Sequence, residues 1–132
     1  MNEAMSQPEQ RSATRDRAQL TLARLAALSG AIAIMAGAFG AHGASGDAKR
    51  WLMTGGHYEL IHAVATLVAL QWSERRAPAL LFMIGSVIFS GSLYAMALGG
   101  PRYLGAITPL GGLTLIIGWL WLAVTLRVQP QR

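Results

Sequence analysis

The sequence contains no cysteine and little charge. Without cysteine, disulfides, thiolate metal sites and thiol nucleophiles are all excluded. Charged residues make up 13% of the chain, against about 25% in a typical soluble domain. A domain of this size is mostly surface, so its missing charge cannot be hidden by burial. No phosphate-binding glycine loop, nucleotide fingerprint or nucleophile–base pattern is present. The glycine clusters lie inside or between apolar runs, with no strand before them and no lysine within them. No enzyme activity and no cofactor is therefore expected.

Acidic residues are also scarce: 6 Asp and Glu stand against 11 Lys and Arg, for a net charge of +5. A basic balance can mark a nucleic-acid partner, but these cations fall almost entirely outside the apolar runs and do not interleave with aromatics. They read instead as a topology signal and as affinity for anionic headgroups. The expected partners are the lipid bilayer and either further copies of the chain or another membrane protein, with no nucleic acid.

What the chain has in abundance is hydrophobic sequence, 53% of its residues. The alternative of a soluble helical bundle with a large core is disfavoured by the length of the uncharged runs. Residues 1–19 are polar and predict a cytoplasmic tail, mobile or forming a short surface helix. The first apolar run is Leu25–Ala41, extended back to Leu20, with Arg24 able to snorkel. A secretory signal peptide is the competing reading of this run. Gly43–Gly56 reads as a loop, in which Trp51 beside Lys49 and Arg50 suits a membrane–water interface. The second and weakest run is His57–Trp72, followed by a polar turn at Ser73–Arg76. Ala77–Gly99 is uncharged, with Pro78 suited to a first helical turn and Gly99, Gly100 and Pro101 to its end. Tyr103–Leu126 is the fourth run, loosened at its start by Gly105, Pro109 and Gly112.

Backbone polar groups in hydrocarbon must bond within their own segment, so each run predicts a helix. Short connections make successive helices antiparallel neighbours. The expected fold is all-α: an up-down bundle of four transmembrane helices over residues 20–127, with a short C-terminal tail at 128–132. Arg11, Arg15, Arg17, Arg24, Arg75, Arg76, Arg127 and Arg132 fall on one side, and Lys49, Arg50 and Arg102 on the other. Positive residues favour the cytoplasm, which puts both termini there.

Small residues recur on helix faces: Ser29, Ala33, Gly37 and Ala41 in the first run, Gly91 and Ala95 in the third, Gly111 and Gly118 in the fourth. They predict close packing within one bundle, with a dimerisation face as the alternative. Ionisable groups at membrane depth are few and tend to be functional. His42 ends the first helix and Glu59 and His62 begin the second, so antiparallel neighbours can bring them together. With Tyr58 they predict a polar clamp between the first two helices. A divalent-metal site of His42, Glu59 and His62, or a proton relay, are the alternatives. Ser86, Ser90, Ser92, Tyr94, Thr108 and Thr114 can line a pore or bond a nearby carbonyl. Two functions remain open: a non-catalytic membrane interaction or scaffold protein, and a small oligomeric transporter or channel.

Several motifs together resemble one family. They are Gly37-Ala38-Phe39-Gly40-Ala41-His42-Gly43, Tyr58 followed by His62-Ala63, Phe89-Ser90-Gly91-Ser92-Leu93-Tyr94, Thr108-Pro109-Leu110-Gly111-Gly112, and Gly118-Trp119. The pattern is similar to the small bacterial membrane protein family known as domain of unknown function 423. The resemblance implies a multi-pass inner-membrane protein and no activity. It also implies that the first run belongs to the mature protein. The family usually has Gln after the Tyr, where this chain has Glu59.

Overall fold

The computed structural model describes residues 6–73 and 75–126. Glu74, Arg127 and the tail expected at 128–132 lie outside the described residues. Four α-helices follow in order: α1 Gln7–His42, α2 Gly46–Trp72, α3 Ala77–Ala97 and α4 Thr108–Thr125, the last preceded by a 3-10 turn at Arg102–Ala106.

Within the polar N-terminal segment the described residues from Gln7 onward are continuous with α1, while residues 1–5 lie outside the described residues. Pro8 sits in the first turn of α1, where its missing N–H costs nothing. The Glu9 carboxylate accepts the Ser6 N–H and the Ser6 Oγ–H, both at 2.8 Å. These bonds hold the Glu9 carboxyl below the usual glutamate range. From there α1 runs unbroken for 36 residues, about 54 Å, against a hydrocarbon thickness of about 30 Å.

The largest departure from the sequence expectation is α2. The predicted loop at Gly43–Gly56 shrinks to Gly43, Ala44 and Ser45, and α2 starts at Gly46. Gly55 and Gly56 weaken an isolated helix, but here they are contact surfaces. A Cβ on Gly56 would lie 2.7 Å from the Ala33 carbonyl oxygen and 3.1 Å from the Gly37 nitrogen. One on Gly55 would lie 2.6 Å from the Tyr94 ring. The glycine pair lets α2 approach α1 on one face and α3 on another.

Helix α3 ends as its sequence indicates. Gly99 takes φ +95°, which favours glycine, and the Gly100 N–H donates to the Ala95 carbonyl at 2.8 Å. The start of the fourth apolar run is a 3-10 turn, and α4 itself begins only at Thr108 and Pro109.

Contacts across the helix pairs run in opposite senses, as antiparallel packing requires: Ser29 with Glu59 and Gln19 with Leu70, then Ser90 with Gly55, then Gly111 with Phe89 and Gly118 with Phe82. The packing is serial. Helix α1 lies on α2, α2 on α3 and α3 on α4, while α1 meets α3 only marginally and α1 and α4 form no packed pair. The up-down order stands, but the arrangement is a folded row rather than a closed ring. Leu22, Ala69, Phe82 and Leu115 bring all four helices into one core.

The surface is the reverse of a soluble protein's. Ser29, Glu59, His62, Thr66, Ser86, Ser90 and Ser92 are buried, while Val64, Val87, Leu120 and Val124 are exposed. Apolar side chains outside and polar ones inside fit hydrocarbon as the solvent. Among the described residues, three segments are long and apolar enough to cross a membrane: Gln7–His42, Ala77–Ala97 and Arg102–Thr125. Helix α2 is not among them, since it carries Asp47, Lys49, Arg50, Glu59 and three further polar rings at His57, Tyr58 and His62.

Of the small residues expected to pack, Ser29 and Ala33 are buried and Gly37 meets Gly56. A Cβ on Gly111 would lie 2.4 Å from the Phe89 nitrogen, and one on Gly118 would lie 2.8 Å from the Phe82 ring. Ala95 is half-buried. Nothing lies within 4 Å of a Cβ placed on Gly91, as on Gly37 itself, so at half-buried Gly91 a methyl group meets open space.

Candidate functional site

Glu59 lies midway along α2 and is 8% exposed. Its Oε1 accepts the Ser29 Oγ–H from α1 at 2.7 Å, and its Oε2 accepts the Tyr94 O–H from α3 at 2.6 Å. One carboxyl group thus ties three helices. The Ser90 hydroxyl donates to the Gly55 carbonyl at 2.9 Å, adding a second α3-to-α2 bond one turn away.

His62 is one turn further along α2 and also buried. The Trp119 Nε1–H of α4 donates to its Nε2 at 3.1 Å. An indole nitrogen only donates, so Nε2 must carry the lone pair and Nδ1 the proton. Nδ1–H then donates to the Tyr58 carbonyl at 2.6 Å. Both ring nitrogens are spent and the imidazole is neutral. The Thr66 hydroxyl donates to the His62 carbonyl at 2.7 Å. Phe82 lies 5.6 Å from the His62 ring and 5.0 Å from the Trp119 ring, centroid to centroid, and Tyr58 lies 4.7 Å from Phe89. Aromatic rings therefore close the polar centre on the α4 side.

The expected meeting of His42 with Glu59 and His62 does not occur. His42 is exposed at the end of α1. Thirteen residues of helix separate it from Ser29, a rise of about 20 Å, and Ser29 is where Glu59 bonds. The expectation placed Glu59 at the start of its helix. The additional three turns at Gly46–Gly56 move it to the middle. Among the described residues no three His, Asp or Glu side chains converge, so the alternative metal triad has no geometric basis. Tyr58 is exposed and contributes its backbone carbonyl rather than its hydroxyl.

The hydroxyls considered as pore lining are largely occupied. Ser92 bonds the Phe89 carbonyl and Thr108, and Thr114 bonds the Leu110 carbonyl one turn back. The Ser86 Oγ is buried without a partner among the described residues. Sequence reasoning named neither Ser29 as a partner of Glu59 nor Trp119 as a partner of His62. The usable signal was chemical: a mid-helix carboxyl in hydrocarbon needs donors at the same depth on its neighbours.

Comparison with known proteins agrees with these motifs. Residues 36–112 match the family described as "Protein of unknown function (DUF423)". That segment holds Glu59, His62, Ser90 and Tyr94. A "UPF0382 membrane protein" of Haemophilus influenzae is 43% identical over 108 residues, covering 75% of this chain and 87% of the relative. The "UPF0382 inner membrane protein YgdD" of Escherichia coli strain K12 is 37% identical over 117 residues, with 80% and 89% covered. The "UPF0382 membrane protein YwdK" of Bacillus subtilis strain 168 is 36% identical over 111 residues, with 76% and 90% covered. No solved structure matches the chain. Polar side chains turned inward, apolar ones turned outward and a family match that contains the buried carboxyl agree: the chain is a membrane protein belonging to the DUF423 family.

Proposed function

We propose that the protein is a four-span component of the bacterial inner membrane, with both termini in the cytoplasm, and that it acts as a non-catalytic interaction or scaffold protein. The fourth span is α2. Its 27 residues reach about 40 Å, enough to cross hydrocarbon. Its polar side chains do not count against it, because Glu59, His62 and Thr66 bond other parts of the protein instead of facing lipid. Orientation follows the cations. At one end Arg50 and Arg102 pair with Asp47, and Lys49 donates to the Ala41 carbonyl. At the other end stand Arg11, Arg15, Arg17, Arg75 and Arg76, five cations against the three at the Asp47 end, which favours the cytoplasm for the former.

The observation that carries the scaffold reading is that Ser29, Glu59, Tyr94, His62 and Trp119 satisfy one another. A transport or catalytic centre keeps polar atoms available to its substrate. Here those atoms clamp helices, leaving the apolar outer faces for recognition by other membrane proteins. The test combines two assays on the full chain. Purification in mild detergent is expected to recover a stable membrane-protein partner. Proteoliposomes are expected to leak no ion or solute above protein-free vesicles. Flux that disappears in Tyr94→Phe would overturn the reading in favour of a small oligomeric transporter or channel.

A further inference from the structure

We propose that the cleft between α1 and the α2–α3 turn binds one anionic glycerophospholipid. This rests on the reading that this end of the bundle lies at a membrane surface, whichever side that is.

Two adjoining cavities form the cleft. One, of about 530 Å³, is lined by Arg15, Arg75, Arg76 and Ser73. The other, of about 510 Å³, is lined by Leu20, Ala23 and Leu67. They share Asp16, Gln19 and Leu70 as their common wall. The order of chemistry is the same on both helices. On α1 it runs from Arg15 through Gln19 to Leu20 and Ala23, and on the facing chain from Arg76 and Arg75 through Leu70 to Leu67. Two helical turns thus pass from cations to aliphatic carbon, about 11 Å. A phospholipid has that order in one molecule: a phosphate, then acyl chains.

The walls are fixed by bonds. The Gln19 amide donates to the Leu70 carbonyl at 2.9 Å, and the Arg76 guanidinium donates to the Arg15 carbonyl. Arg76 retains most of its donors for a phosphate. Among the described residues, neither Arg15 nor Arg75 forms an ion pair, since both ion pairs belong to Asp47 at the opposite end. Asp16 is the one acid among the lining residues, against three guanidinium groups. Glu74 neighbours Arg75 in the sequence. A free phosphate satisfies only the basic part; the aliphatic continuation commits the site to a lipid.

The test is native mass spectrometry of the full chain in mild detergent, titrated with phosphatidylglycerol or phosphatidylcholine. One phosphatidylglycerol is expected to be retained, in preference to phosphatidylcholine. Arg15→Gln with Arg75→Gln removes two exposed cations without touching the core and is expected to weaken phosphatidylglycerol binding about thirtyfold. Arg15→Lys with Arg75→Lys is expected to keep the preference, which separates lost charge from lost fold. Excess inorganic phosphate is expected not to displace the lipid. Equal retention of both lipids, unchanged binding in the Gln variant or displacement by phosphate would each overturn the proposal. Maleimide labelling of Arg75→Cys reports separately whether this end lies at a membrane surface.

Discussion

Gly111 and Gly91 give opposite expectations for the same substitution. Gly111→Ala puts a methyl carbon 2.4 Å from the Phe89 nitrogen and 2.8 Å from its Cα. The obstructing atoms are backbone, so no side-chain rotation relieves them. Helices α3 and α4 must separate by about 1 Å to reach van der Waals contact, and dispersion is lost along the interface. Overpacking of this kind costs about 1–3 kcal/mol, and the rigid neighbour puts it near the upper end. Gly91→Ala meets nothing within 4 Å. There the methyl only restricts the unfolded backbone and raises helix propensity, a gain of about 0.5–1 kcal/mol. The chain has 4 tryptophans, so reversible unfolding by SDS in mixed micelles can be followed by fluorescence and checked by circular dichroism. The midpoint should fall for Gly111→Ala and stay level or rise for Gly91→Ala. A shift of the same sign and size for both would refute the packing argument.

The Glu59 network makes a second prediction. In Glu59→Gln the amide oxygen still accepts one hydroxyl and the amide N–H can donate to the other, so the same assay should show a loss below about 1 kcal/mol. Glu59→Leu strands the Ser29 and Tyr94 hydroxyls together and should cost about 2 kcal/mol or more. At the N-terminus, the lowered Glu9 carboxyl stabilises the first turn of α1 above the ordinary glutamate range. That contribution is lost as pH falls through the lowered value. The protection factor of the Gln10 amide, which donates to the Ser6 carbonyl, should fall in acid in the wild type once corrected for the intrinsic exchange rate, and that fall should be absent in Glu9→Gln.

Three of the four helices were legible because composition alone decides them. Ala77–Gly99 carries no charge, and its glycines and proline mark both ends, so prediction and structure differ by only two residues. The start of α2 was not legible. Gly55 and Gly56 read as a break, and Asp47, Lys49 and Arg50 as a loop, because both signals describe a helix alone in water. Against Ala33 and Tyr94 the glycines become contact surfaces, and tertiary packing overrides propensity. That single misplacement carried Glu59 from the middle of a helix to its end and paired it with His42. The N-terminal extension of α1 was missed for a different reason: its capping signal, Ser6 with Pro8 and Glu9, sits in sequence with no apolar periodicity to announce a helix. The partners Ser29 and Trp119 depend on depth and helix order, which periodicity does not report.

The absence of cysteine permits one direct measurement of how α2 lies. Single cysteines replace Asp47, Val64 and Arg75, and a membrane-impermeant maleimide is applied to intact spheroplasts and then to permeabilised ones. A spanning α2 with cytoplasmic termini predicts that position 47 reacts from outside and position 75 only after permeabilisation. Position 64, exposed but at hydrocarbon depth, should react in neither case. Reaction of positions 47 and 75 from the same side, or of position 64 at all, would contradict a carboxyl held in the middle of the membrane.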